Sequence, residues 1–131
     1  MRSFRHRAYT CRLMFAIGLC LLFALEAQTG ENSLKVTATA YNSHPEQTQG
    51  NPLITAWGDK LVPGIKAIAV SLDLIRMGLT RGVKVKIEGL PGTYIVMDKM
   101  PERWVRRIDI YMGKDVKAAK KWGKRKVTIR W

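Results

Sequence analysis

The sequence predicts a small, mainly β domain that closes as a barrel of about six strands, carries one or two short helices and follows an N-terminal signal segment. Three observations predict this. Apolar and polar residues alternate over short runs, the period of a half-buried strand. Gly and Pro interrupt those runs at short intervals. Two Pro-Gly pairs, Pro63-Gly64 and Pro91-Gly92, are each followed by an apolar segment, ending at Ser71 and at Asp98 respectively. Two related halves suit a small closed barrel, which leaves no sheet edge exposed.

The first element is the leader, residues 1–27. Arg2, Arg5, Arg7 and Arg12 precede an apolar run from Leu13 to Leu25. A basic start and a short apolar run are the pattern of a signal peptide. The run is shorter than the roughly 20 apolar residues of a membrane-spanning helix. Cleavage is expected near Ala27, although Leu25 fits the −3 position poorly. An uncleaved N-terminal anchor is the alternative. Both cysteines, Cys11 and Cys20, lie in this segment, so residues 28–131 have no thiol chemistry and no disulfide. Bulky Leu19 precedes Cys20 and the apolar run continues past it, which argues against a lipidated cysteine.

Residues 28–33 are small and polar and read as a linker; residues 34–131 form the domain. Lys35 to Tyr41 alternates, with Val36, Thr37 and Thr39, and is the first strand. Asn42 to Pro52 is a polar loop. Lys66 to Val70 is a short apolar strand, and Ser71 caps a helical turn from Asp73 to Met77. Gly82 to Glu88 sets Val83, Val85 and Ile87 against Lys84, Lys86 and Glu88. Tyr94 to Met97 and Arg107 to Met112 are further strands. Asp115 opens a helix with lysines in its last turn and Gly123 just beyond Trp122, as a helix C-terminus prefers. Val127 and Ile129 form the closing strand.

The chain carries a net charge of +13, and the leader accounts for +3 of it (four arginines and Glu26), leaving +10. That balance favours anionic polymers or surfaces as partners. Behind an export signal these are wall glycans, envelope phosphates and lipid head groups rather than nucleic acid. A merely solubilising charge is the plainer alternative. Trp57, Trp104, Trp122 and Trp131 fit a core equally well as a stacking platform for sugars or bases.

The domain has a single histidine, His44, in a polar loop, and neither a phosphate-binding glycine loop nor a metal-ligand spacing. No cofactor or metal is expected. Chemistry therefore falls to carboxylates. Asp98 follows the apolar run Tyr94-Ile95-Val96-Met97, and Asp109 lies between Ile108 and Ile110. Partial burial would raise either toward the pKa of a working general acid. The plainer reading is an ion pair with Arg106 or Arg107.

Six segments then fall into a familiar order: T-A-T-A-Y (37–41), T-A-W-G (55–58), I-A-V-S-L-D-L-I (68–75), V-M-D (96–98), R-I-D-I-Y (107–111) and A-K-K-W-G (119–123). Together they resemble the 3D domain, named for three aspartates. It occurs in membrane-bound lytic transglycosylase A and in small secreted wall-remodelling proteins of the stationary-phase-survival type. The resemblance implies a six-stranded double-psi β-barrel that cleaves the β-1,4 bond of peptidoglycan glycan strands, in the periplasm or outside the cell. It makes Asp109 the catalytic acid/base and Asp98 its supporting partner, with Asp73, Ser71, Tyr41 and Thr39 as supporting or substrate-binding residues. Two positions depart from the pattern. Ser71 stands where the third aspartate is usual, with Asp73 two residues on, and Lys99-Met100-Pro101 replaces the usual Gly-Gly after Asp98. A monomer is expected, bound to peptidoglycan and attracted to the anionic envelope. A non-catalytic wall-binding module on the same barrel is the rival reading.

Overall fold

The computed structural model describes residues 31–43 and 53–131. The leader, the linker up to residue 30 and the loop around His44 lie outside the described residues. The described chain runs β1 (Ser33–Tyr41), β2 (Ala67–Val70), α1 (Leu72–Arg76), β3 (Lys84–Ile87), β4 (Tyr94–Lys99), β5 (Arg107–Tyr111), α2 (Val116–Trp122) and β6 (Arg125–Arg130). The strands close a barrel in the order β1-β5-β2-β4-β3-β6. Two pairings are parallel, β1 with β5 and β2 with β4; the other four are antiparallel. The architecture is the expected mainly β, six-stranded double-psi barrel with two short helices.

Alternation explains most of the strands. Val36 and Ala38 on β1, Val85 and Ile87 on β3, Ile108 and Ile110 on β5, and Val127 and Ile129 on β6 all point inward and are buried. Ile68 and Val70 on β2 and Val96 on β4 complete the interior, and Trp122 of α2 packs against it. β2 differs, because all four of its residues are buried. Its inner face meets the core. Its outer face lies under a second apolar cluster of Leu61, Ala67 and Tyr111, with Tyr41, Ile65 and Met97 packed alongside. A strand covered on both faces shows an unbroken apolar run, as Ala67-Ile68-Ala69-Val70 does.

The two Pro-Gly segments end up side by side: Ala67 pairs with Ile95 and Ile68 with Val96 in the parallel β2–β4 ladder. β1 starts at Ser33, two residues ahead of the expected strand, because Asn32 exchanges backbone hydrogen bonds with Trp131 at 2.9 and 3.1 Å. β4 runs on to Lys99 because Met100 N–H still donates to the Val70 carbonyl. Ser71 occupies the N-cap of α1, but its hydroxyl makes no capping bond. Instead its Oγ accepts from the Arg107 N–H at 3.0 Å, tying the end of β2 to β5. Asp115 does cap α2, accepting from the Ala118 N–H at 2.9 Å.

Candidate functional site

On the outer face of the barrel one row of residues crosses four strands. Thr39 of β1 pairs with Asp109 of β5, Asp109 with Ala69 of β2, and Ala69 with Asp98 of β4. Residues directly opposite each other in a ladder share a face, so both aspartates flank the small Ala69. Their backbones are two strand spacings apart, roughly 10 Å. The β2–β4 register shifts between Ile68 and Ala69. Ile68 faces Val96 and Ala69 faces Asp98, so Met97 is the extra residue of a bulge. Strict alternation from Val96 would turn Asp98 into the core; the bulge turns it outward, a usual effect of bulges beside functional sites.

The two carboxylates have different surroundings. Asp98 Oδ1 accepts from the backbone N–H groups of Ala56, at 2.8 Å, and Lys99, at 2.9 Å. Ala56 is presented by a tight turn bridging Ile54 and Lys60, in which Gly58 takes φ +84°. The turn is closed by Asp59 N–H donating to Thr55 Oγ1 at 3.0 Å, and Asp59 pairs with Arg81. Burial pushes the Asp98 carboxyl up, and the two N–H groups only partly offset this. Asp109 Oδ1 accepts one hydrogen bond, from the Thr39 hydroxyl at 3.0 Å. Its carboxyl is pushed up to about 6, chiefly by burial, with Thr39 and Arg107 pulling it down and Asp98 pushing it further up.

Neither aspartate is held in an ion pair; among the described residues the one salt bridge joins Arg81 to Asp59. Arg107 is committed elsewhere, its guanidinium lying 3.7 Å from the centre of the Trp104 ring and its Nε donating to Thr39 Oγ1 at 3.4 Å. Arg107 therefore orients Thr39, and Thr39 orients Asp109. Tyr41 stands one row along on the same face, 5.4 Å from Tyr111 between ring centres. Its hydroxyl is buried and has no hydrogen-bond partner among the described residues. Burial, and then the proximity of Asp98 and Asp109, push the Tyr41 phenol well up. Tyr111 is fixed by donating to Ser43 Oγ at 3.0 Å.

The structure brings together Asp109, Asp98, Thr39 and Tyr41, but not Asp73. Asp73 Oδ2 accepts from the Arg106 N–H at 2.9 Å, and Asp73 lines a separate open cleft with Leu72, Arg76, Glu102, Trp104 and Val105. Burial would raise its pKa, but hydrogen bonds from Ser71, Arg106 and the start of α1 hold it below the usual carboxylate range. Arg106 has φ +44°, the left-handed region that non-glycine residues avoid, and Asp73 pins that turn just ahead of β5. Ala69, the Ala56 N–H and the Arg107–Trp104 stack are the parts sequence reasoning missed. T-A-W-G carried a signal for the second; nothing local marked the others.

The raised pKa of Asp109 has a signed consequence for stability. Between its ordinary value of 3.8 and about 6, the folded chain keeps a proton that the unfolded chain has released. Stability is then highest below this window and falls as pH rises through it. The full effect is about 3 kcal/mol, at roughly 1.4 kcal/mol per pKa unit. Asp109→Asn, which does not titrate, is expected to lose this slope. Urea denaturation of both proteins from pH 4 to 7 measures it; identical pH profiles would mean that Asp109 titrates normally.

No family model matches the sequence, and no curated protein matches it. Among solved structures the chain is similar to the apo crystal structure of an expansin from Clavibacter michiganensis, with a TM-score of 0.50 and 19% identity. The match covers 75% of this chain and 49% of the expansin chain, so this protein spans about half of that molecule. At this identity the likeness establishes the fold.

Proposed function

We propose that the barrel acts on peptidoglycan glycan strands as a lytic glycosidase of the 3D-domain type, with Asp109 as its single acid/base. The observation that carries the reading is Asp109 itself: half-buried, free of an ion pair, positioned by Thr39 and shifted to about 6. A carboxyl tuned there is protonated often enough to act as an acid and ionised often enough to act as a base. In the reaction Asp109 donates its proton to the glycosidic oxygen as the bond to C1 breaks. The resulting carboxylate then takes the proton of the sugar's own C6 hydroxyl, whose oxygen closes on C1. The products are a 1,6-anhydro end and a free 4-hydroxyl, Asp109 regains its proton, and no water is consumed. Asp98, held in place by two backbone N–H groups, tunes Asp109 from across Ala69. The expansin likeness is in keeping with a wall polysaccharide as partner, and the basic leader with export to the periplasm or beyond.

One observation favours a second reading, a wall-binding module without catalysis. The nearest replacement for the third family aspartate, Asp73, is spent on Arg106 rather than joined to the row. Incubating the purified protein with peptidoglycan sacculi and analysing the released material by mass spectrometry separates the readings. Anhydro ends support the lytic reaction, reducing ends a hydrolytic one, and binding without release the module.

Either reading predicts wall binding that depends on charge. Sacculi pull-down should weaken steeply as salt rises, because screening shortens from about 8 Å at physiological ionic strength to about 3 Å at 1 M. Retention unchanged at about 1 M salt would show that charge is not the main attraction.

A further inference from the structure

The outer face of the barrel away from the aspartate row is a field of unpaired cations. β6 lies between β1 and β3. Its outward positions are Lys126, Thr128 and Arg130, opposite Thr37, Lys35 and Ser33 of β1. On the other side Arg130 faces Lys86 of β3, with Lys84 one position along the same face. Lys35, Lys84, Lys86, Lys126 and Arg130 are all exposed. β1, β3 and β6 contain no acidic residue; the carboxylates that flank them in sequence are Glu31, just before β1, and Glu88, just after β3, whose N–H donates to the Thr128 carbonyl at 2.9 Å, so that cations outnumber acids here without excluding them. The field continues into α2 and its flanks, where Lys114, Lys117, Lys120, Lys121 and Lys124 are exposed. Of the cations in that segment Arg125 is occupied, bonding the carbonyls of Lys121 and Trp122. Asp115, the acid beside α2, is occupied capping that helix.

This arrangement works against the fold. Lys86 and Arg130 are directly opposed in the ladder, with Cβ atoms roughly 5 Å apart, and like charges so placed are destabilising. An anionic occupant removes that repulsion. The shape of the field selects the occupant. It spreads across three strands and a helix in two dimensions, whereas a single polymer chain would meet one row of cations. The outward positions that carry these cations hold no aromatic ring on which bases could stack; Tyr41, farther along β1, packs on Tyr111 instead. The exposed large apolar residues, Ile54, Val62, Met77 and Val105, all lie elsewhere, so nothing here would insert into hydrocarbon.

We infer that the outer face of β1, β6 and β3, extended by α2, is a docking surface for an anionic phospholipid bilayer, held by head-group charge without insertion. Around the barrel β5, β2 and β4, which carry Asp109, Ala69 and Asp98, lie on the other side of β1 and β3, so a membrane docked on β6, β3 and the Ser33–Thr37 part of β1 leaves the two aspartates facing away from it. The inference does not depend on the glycosidase reading.

The test is co-sedimentation of the full chain with phosphatidylcholine vesicles containing or lacking phosphatidylglycerol. The ratio of the two affinities cancels what the leader's apolar run contributes to both, and the leader's four arginines are common to the wild type and both variants. The wild type is expected to prefer the anionic vesicles. Reversing Lys86, Lys126 and Arg130 to Glu should cut that preference by roughly a hundredfold or more, since juxtamembrane cations act near-additively. Reversing Lys60, Arg76 and Arg103, an equal change of net charge elsewhere, should have little effect. Equal losses from both triples would overturn a localised surface. No anionic preference in the wild type would overturn the lipid, as would capture of polyphosphate or single-stranded DNA through this face with vesicles ignored. Folding of the variant is checked by its thermal midpoint; Lys86→Glu alone, which places opposite charges in the ladder, should raise it.

Discussion

Replacing Asp109 by Asn is expected to abolish glycan cleavage while leaving the fold and wall binding in place. The amide is nearly isosteric with the carboxyl, so the contacts beside Ala69 survive. Thr39 can still donate to the side-chain oxygen as it does now at 3.0 Å. The amide cannot shuttle a proton, and general acid–base assistance alone is worth roughly 10²–10⁴ in rate. The loss is larger if no bond breaking occurs without protonation of the leaving oxygen. Asp98→Asn should be milder, because Asp98 is already anchored by the Ala56 and Lys99 N–H groups and acts on Asp109 through space. Product release from sacculi, followed over time for both variants, reads the difference. Full activity in Asp109→Asn would refute its role as the acid; a greater loss in Asp98→Asn would exchange the two roles. Removing the side chain should also spare the domain, since no arginine depends on Asp109 for its charge partner.

The sequence carried the strands well because their faces are simple. Val83-Lys84-Val85-Lys86-Ile87 and Arg107-Ile108-Asp109-Ile110-Tyr111 separate inward from outward by strict alternation, so period alone locates them. Asp109 was legible for the same reason: a carboxylate at an outward position between two buried isoleucines. Asp98 was not legible in that way. By alternation from Val96 it belongs in the core, and only the bulge at Met97 turns it outward. A bulge depends on the partner strand's register, which no local pattern encodes. The same holds for Ala69, whose value lies in being small between two aspartates that are 29 and 40 residues away in sequence. Ser71 illustrates a competing demand. Its position and residue type fit a helix cap, but the nearer need is the Arg107 N–H across the ladder. Asp73 likewise stands two residues past the family's third-aspartate position and could have replaced it, yet the left-handed turn at Arg106 claims its carboxylate.

The tryptophans, equally suited by sequence to core or platform, are separated by the structure, and this yields the second large effect. Trp122→Ala is expected to destabilise the domain by about 3–5 kcal/mol, the usual cost of truncating a buried tryptophan. Trp122 is 8% exposed and packs against the barrel core from α2. Its indole N–H donates to the Ala38 carbonyl at 3.3 Å, fastening α2 to β1. The Arg125 guanidinium covers its outer side at 4.1 Å while bonding the last carbonyls of the helix. Truncation would leave a cavity at the barrel wall and strip both α2 and Arg125 of their anchor. Domains of this size are stable by about 5–15 kcal/mol, so the variant should lose much of its margin. Trp104, half-buried and in contact with the guanidinium groups of Arg107 and Arg103, should cost about 1 kcal/mol or less when truncated, the scale of an exposed cation–π contact. Urea denaturation of the two variants against wild type measures both, and sacculi binding under folding conditions separates stability from recognition. A small loss of stability in Trp122→Ala together with weakened wall binding would reverse the assignment and make Trp122 a sugar platform; a large loss with binding intact per folded molecule is what a core residue gives.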